Sequence, residues 1–452
     1  MTELRLGLDV ANTHAEGVVL DEHDRVLVRA RTEKGGDGES SLRTVLGNLV
    51  EDHRLDPSRI TRAVLGSAVA ADAIERCRGL RRVAVLRVGA PLTLAVPPLG
   101  TWPLRLRHSA SAGEAVVGGG AEYDGRSVSP LDGDAVSRFL ATVAGAAEGV
   151  AVTSVFSSAA PDHELQAAEI VRRELGASME VSLSHEIGTT GLLERENATV
   201  LSAALLGVVE RLLASFGEML AERGIDAELF LAQGDGTVMT PEHALRFPAY
   251  LLGSGPASAI RGGAWLSDVM DGVSLEIGRT GATVGAVVNG RPHERATPNE
   301  LAGVRANFRL PELLTLPSVG GANGQTRIAT ALNGAWRAQP RPTLFVVGGG
   351  AAAAAARYEG FGETIVPRDG DVARAIGLVI APAAGHADRV CANRPAARQT
   401  TIEAARADAI ARAIHAGADP ARVQIVEVDE IPLTYLLDPP IRISVRASGP
   451  RI

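Results

Sequence analysis

The chain has 452 residues, enough for about three domains at roughly 150 residues each. Hydrophobic residues make up 46% and charged residues 22%, a globular rather than a disordered balance. A net charge of -8 with 3% aromatics speaks against a nucleic-acid groove, which needs positive charge and stacking platforms.

The N-terminal stretch reads as three strands joined by short turns: Leu4 to Val10, Gly17 to Asp21 and Val26 to Arg31. From Ser40 to His53, Leu42, Val45, Leu46, Leu49 and Val50 fall on one helical face. A strand over Ile60 to Leu65 leads into the small-residue segment Gly66 to Ala73, and Arg82 to Val88 reads as another strand. Strand and helix alternate as in an α/β layer fold. Between Leu92 and Leu131 the pattern weakens into prolines and glycines, with Gly118-Gly119-Gly120 as a loop. Order returns with a helix from Asp132 to Ala147, a strand from Val150 to Phe156 and an amphipathic helix from Pro161 to Leu175. The longest helical pattern runs from Leu192 to Arg223, as one helix or two, and a domain boundary is placed just before it.

The second half repeats the opening. Leu8 to Leu20 aligns without a gap on Leu275 to Val287, pairing Asp9 with Glu276 and Thr13 with Thr280, and both copies turn into a hairpin and a third strand. At the far end a helix from Thr401 to Ala416 precedes two strands, Val423 to Val428 and Ile441 to Val445, read as an appended unit.

Residue usage narrows the chemistry further. Lys34 is the only lysine, and it precedes a glycine-rich loop, so phosphate-loop, Schiff-base and pyridoxal-phosphate lysines are all discounted. Two cysteines, Cys77 and Cys391, are too few for a zinc cluster or a disulfide framework and are read as small buried hydrophobes. Neither a leader pattern nor an unbroken apolar run of about 20 residues stands out, so a cytoplasmic protein without a membrane span is expected.

A strand ending in an acid, followed by a tight turn of small residues and a threonine, suits nucleotide phosphates. Small residues let backbone N–H groups approach phosphate oxygens, the hydroxyl adds a donor, and the acid holds hydrated Mg²⁺ or orients a water. Asp9 to Thr13 and Glu276 to Thr280 are two such turns, and Leu344 to Val347 runs into a third, Gly348-Gly349-Gly350, whose bare backbone suits a nucleoside. Other candidates have structural explanations. His185 and Glu186 are read as a junction rather than a metal pair. Glu194, Glu196 and Asn197 open a helix where acids suit the dipole, and His14 is read as an exposed loop histidine.

The segments Val155-Phe156-Ser157, His163-Glu164, Ser182 to Gly188, Gly191 to Ala198, Gly234-Asp235-Gly236-Thr237, Ser254-Gly255-Pro256, Gly303 to Arg305, Asn307-Phe308-Arg309 and Asp371-Val372-Ala373 with Ala375-Ile376-Gly377 resemble the hydantoinase A/oxoprolinase family. That resemblance implies an actin-like, ribonuclease-H-like ATPase fold: α/β, two duplicated domains around a cleft, with a small C-terminal α+β extension. The implied domains are residues 1–185, 186–385 and 386–452. It further implies ATP-dependent ring opening of a cyclic amide such as a hydantoin or 5-oxoproline, beside a hydantoinase B-like second subunit. Asp9 and Glu276 would be the catalytic and Mg²⁺-holding acids. Asn12, Thr13, Gly278, Arg279, Thr280, Gly348, Gly349 and Gly350 would bind ATP.

The chain departs from the family pattern where phosphates would sit. Relatives carry Asp-x-Gly-Gly-Thr at the first turn, where this chain has Asp9-Val10-Ala11-Asn12-Thr13. At the second turn Arg279 replaces a glycine, and the link from Gly320–Gly324 to Gly348 is short. Two alternatives therefore stay open: a catalytically degenerate paralogue serving as a structural or regulatory subunit and, more weakly, a small-molecule kinase of the same superfamily. An open cavity between the turns would favour the enzyme, and one filled by Arg279, Asn12 or Glu276 the degenerate paralogue.

Overall fold

Strands β1 (Leu4–Val10), β2 (His14–Leu20) and β3 (Val26–Glu33) form an antiparallel meander, and β4 (Ile60–Ser67) returns parallel to β1 after the helix Gly38–Val50. β1 and β2 are covered on both faces, which is why they lack clean alternation. Leu42, Val45, Leu46 and Leu49 of the helix are buried against them. The computed structural model describes residues 3–33, 38–187, 191–279, 281–295, 298–317, 324–334, 341–354, 358–434 and 439–451.

After β4 and the helix Val69–Arg76 the chain leaves this sheet. Strands β5 (Val83–Ala90), β6 (Ser111–Gly118), β7 (Gly149–Ser154) and β8 (Val181–Leu183) build a separate parallel sheet in the order β6-β5-β7-β8. The helix Leu104–Ala110 and β6 fall in the stretch where sequence patterning was weakest. Both are short, and β6 is half-buried along most of its length, so neither shows strong periodicity.

The helix Leu192–Ala221 brings the chain back, as one helix rather than two. It is long and apolar enough to cross a membrane by length and composition, contrary to the sequence-based expectation, but most of it is buried within this fold. Strand β9 (Glu228–Ala232) then pairs parallel to β4, and β10 (Val238–Met239) antiparallel to β9.

The second copy follows. Strands β11 (Gly272–Ile277), β12 (Gly281–Val288) and β13 (Arg291–Pro292) form the meander. The hairpin of β14 (Asn299–Leu301) and β15 (Val304–Ala306) and the strand β16 (Leu314–Pro317) intervene. Then β17 (Thr343–Val347) pairs parallel to β11, and β18 (Thr364–Ile365) parallel to β17. The order β13-β12-β11-β17-β18 reproduces β3-β2-β1-β4-β9. Register repeats too: Asp9 faces Glu16, and Glu276 faces Thr283, at the offset of the sequence alignment.

Strands β19 (Ala383–Cys391), β20 (Gln424–Pro432) and β21 (Ile441–Gly449) extend the first sheet through Val238 and Ala383 to nine strands. Residues 386–452 are therefore not a separate appended unit. The helix Pro395–His415 packs Ala405, Ala409 and Ala413 beneath this edge. The segment 1–185 contributes strands to two sheets, and the nine-stranded sheet draws on all three expected segments. Between the two repeats, the helices Ser254–Leu266 and Ala373–Ile380 press together. A Cβ on Gly262 would collide with the Ala373 carbonyl oxygen, and one on Gly377 with that of Ser258.

Candidate functional site

The carboxyl ends of β1 and β11 face each other, the position where open α/β sheets bind ligands. Asp9 is buried, and neither of its carboxylate oxygens has a hydrogen-bond partner among the described residues. Burial pushes its pKa up to about 6, the Arg374 guanidinium pulling the other way. Glu276, expected as a second metal-holding or water-orienting acid, is engaged instead. Arg374 Nε donates to its Oε1 at 2.6 Å and Nη2 to its Oε2 at 3.1 Å, while Nη1 stands 3.6 Å from Asp9 Oδ2. The two acids hold Arg374 firmly protonated, well above the usual arginine range. The guanidinium thus occupies the space between the paired turns, a role the sequence reading gave to Arg279, Asn12 or Glu276.

Glu16 fixes the helix that carries Arg374. Its carboxylate accepts from the Ala375 N–H and Arg31 Nη1, both at 3.1 Å, and lies 3.1 Å from His14 Nε2. His14 is therefore a buried β2 residue pinned by an acid rather than an exposed loop histidine. Arg31 reaches across to the Asp371 carbonyl and covers Gly349, where a Cβ would lie 2.8 Å from its guanidinium. In the same turn the Gly348 and Gly350 N–H groups donate to the carbonyls of Gly370 and Ile277, so neither is bare backbone for a nucleoside. Gly278 N–H donates to Gly281, whereas the Arg279 side chain extends outward to Glu33 at 3.2 Å. Thr280 lies outside the described residues, as does the start of the glycine loop before Gly324. Asn12 is exposed, and the Thr13 hydroxyl sits 3.3 Å from His14 Nδ1. Asn12 also opens on a cavity of about 1510 Å³, solvent included, bounded by Ser67, Asp72 and Arg211.

Away from the turns, His185 and Glu186 do not form a metal pair. His185 Nδ1 is 2.6 Å from buried Glu164, and Glu186 binds Arg246 at 2.6 Å. Glu164 stays ionised below the usual carboxylate range despite its burial, because His185 and Arg195 compensate it. Glu196 makes a two-bond buried ion pair with Arg87 on β5, both at 2.6 Å, and Asn197 accepts from Trp102, so the helix start does more than satisfy a dipole. Glu194 lies 3.4 Å from Arg305. Cys391 is buried, and Cys77 caps a helix in the left-handed region at φ 52°.

Sequence reasoning missed Arg374, which stands in the one gap of the motif Asp371 to Gly377, and it missed the cluster around Asp235. Asp235, Glu294 and His386 bring ligand atoms within 4.8 Å of one another, as a metal site would. Arg446 already supplies the positive charge there, ion-paired with Glu294 and 3.6 Å from Asp235. Only the fold brings these residues together, from the β9–β10 turn, the segment after β13, β19 and β21.

Two copies of one strand order, facing each other with an acid at each first turn, define an actin-like ATPase fold of two duplicated ribonuclease-H-like domains around a cleft. Residues 5–175 match the hydantoinase/oxoprolinase N-terminal region and residues 195–354 match hydantoinase/oxoprolinase. The chain belongs to the hydantoinase/oxoprolinase family. Among solved structures it is similar to an ATP-dependent caprolactamase from Pseudomonas jessenii, with TM-score 0.77 and 15% identity over 98% of this chain and 87% of that one. It is also similar to nucleotide-free acetone carboxylase, with TM-score 0.71 and 13% identity over 100% and 88%. An uncharacterized protein of Methanocaldococcus jannaschii is 28% identical over 149 residues, which cover 32% of this chain and 22% of that relative's length.

Proposed function

We propose that this protein is an ATP-dependent hydrolase that opens a small cyclic amide, working at the carboxyl ends of β1 and β11. The observation that carries this is Asp9: a buried acid at the first turn, without a hydrogen-bond partner among the described residues, beside a fixed cation. Such a carboxylate fits a bound water or a hydrated cation, whereas Glu276 has both oxygens taken by Arg374. Asp9 would hold Mg²⁺, and Asn12, Thr13 and Arg279 would meet the phosphates. ATP, when bound, supplies the phosphoryl group that turns an amide oxygen into a leaving group. Asp9 would also orient the attacking water. Arg374 neutralises negative charge gathering between the turns. The caprolactamase likeness supports a lactam-type substrate, and a hydantoinase B-like subunit would be the partner completing the reaction.

A second function, a nucleotide-free regulatory or structural subunit, is favoured by the arginine links that cross the cleft. Arg374 joins the two acids, Arg31 covers Gly349 and Arg279 reaches Glu33. Calorimetric titration with ADP and a non-hydrolysable ATP analogue, each with and without Mg²⁺, separates the two. Binding followed by phosphate release with a cyclic amide supports the hydrolase. No heat at millimolar nucleotide overturns it and leaves the subunit role.

A further inference from the structure

The cavity of about 1510 Å³ that opens beside Asn12 lies where two hydrophobic cores meet along the helix Leu192–Ala221. Val208 belongs to one core, Phe216 and Met219 to the other, and Leu212 packs against both. These four residues recur at helical spacing, so one face of the helix lines the cavity over about 16 Å. The rest of the wall comes from the end of β4, the helix Val69–Arg76 and Leu42 of the helix Gly38–Val50.

The rim of this cavity is cationic, with Arg76, Arg78 and Arg211 lining it. Arg211 Nη2 donates to the Gly79 carbonyl at 3.0 Å, which sets its guanidinium beside the residue that follows Arg78. Gly79 has φ 71°, and a Cβ there would lie 2.6 Å from Arg211 Nη2, so this approach requires glycine. Arg105 Nη2 brings a further cation to the Arg76 carbonyl, also at 3.0 Å. Acids answer little of this charge. Asp72 stands 3.8 Å from Arg76, and Glu39 is held by Arg43 at 3.0 Å. Arg78 and Arg211 are exposed and form no ion pair among the described residues. Bringing these guanidinium groups together without matching acids is repulsive, and a bound anion would relieve it.

We propose that this cavity binds a medium-chain carboxylate, its head held by Arg78 and Arg211 and its hydrocarbon tail lying along Val69 and Leu212 toward Met219. Val69 and Leu212 are half-buried, so each keeps apolar surface to offer. Each methylene buried there strengthens binding about fourfold, whereas a plain anion gains nothing from the apolar stripe. The site borders the first turn through Val10 and Asn12, yet it calls for no nucleotide, so it goes beyond the ring-opening function above.

The test uses the full chain with isotope-labelled methionine methyl groups, observed by NMR without nucleotide, with the Met219 signal assigned from Met219→Leu. Octanoate is the probe. The Met219 signal should move with a dissociation constant of about 1 mM or tighter, while that of Met270, exposed next to β11, should stay in place. Affinity should fall at least about tenfold for octanamide, which lacks the charge, and for acetate, which lacks the tail. The double variant Arg78→Gln, Arg211→Gln should lose as much, and the two analogues test the site without any variant. A Met219 signal unmoved at about 10 mM octanoate, equal binding of octanamide or acetate, or equal movement of Met270 overturns the site. The two proposals fail separately: a silent nucleotide titration sinks only the ATP function, and a silent Met219 sinks only this site.

Discussion

Removing the Arg374 guanidinium would leave Asp9 and Glu276 inside the fold without a counter-charge. Arg374→Ala should therefore cost about 3–5 kcal/mol, as for a broken buried ion pair. Added Mg²⁺ should raise the melting temperature of the variant by more than that of the wild type, which differential scanning calorimetry checks. Asp9 gives a second prediction. Its folded pKa of about 6 lies above the ordinary 3.8, so the folded state binds more protons than the unfolded one between those values. Stability contributed by Asp9 is thus lost as pH rises from about 4 to 6, by up to about 3 kcal/mol. Asp9→Asn should flatten that slope and be more stable than wild type at neutral pH, as urea titrations across the range would show. Arginine's dominance in the composition has a use at these sites, since both acid clusters hold a cation that keeps its proton.

The helices Ser254–Leu266 and Ala373–Ile380 place Gly255 and Arg374 at their first turns, so their spacing sets the spacing of the site. Gly377→Ala should force them apart and destabilise the protein by about 1–3 kcal/mol or more. It should also weaken nucleotide binding without touching any ligand group, measured by thermal melting alongside calorimetry. Elements such as the strands at Leu4, Ile60 and Val83 and the helix at Asp162 were legible in the sequence because their apolar patterns are long and bounded by turn residues. The helix Leu104–Ala110 and β6 were not, being short and only partly buried. The site divides the same way. Asp9 and Glu276 stand out because the repeat aligns them, but nothing local in the sequence announces Arg374, 98 residues from Glu276, or Asp235 with His386, 151 residues apart.

At the scale of the whole molecule, the nine-stranded sheet is assembled from strands widely separated along the chain. Val238 on β10 pairs with Ala383 on β19, and β4 waits for β9 across the whole inserted sheet. During synthesis β1 to β4 therefore emerge long before the strands that complete their sheet, leaving an unpaired edge exposed to other chains. A chain cut before β19 should retain the β5–β8 sheet yet aggregate or stay protease-sensitive, whereas adding residues 383–451 as a separate polypeptide should restore solubility. Limited proteolysis with light scattering reads this directly. Closing the first sheet thus becomes a late folding event governed by distant contacts, and the helices that hold Arg374 and Gly255 can settle only around it.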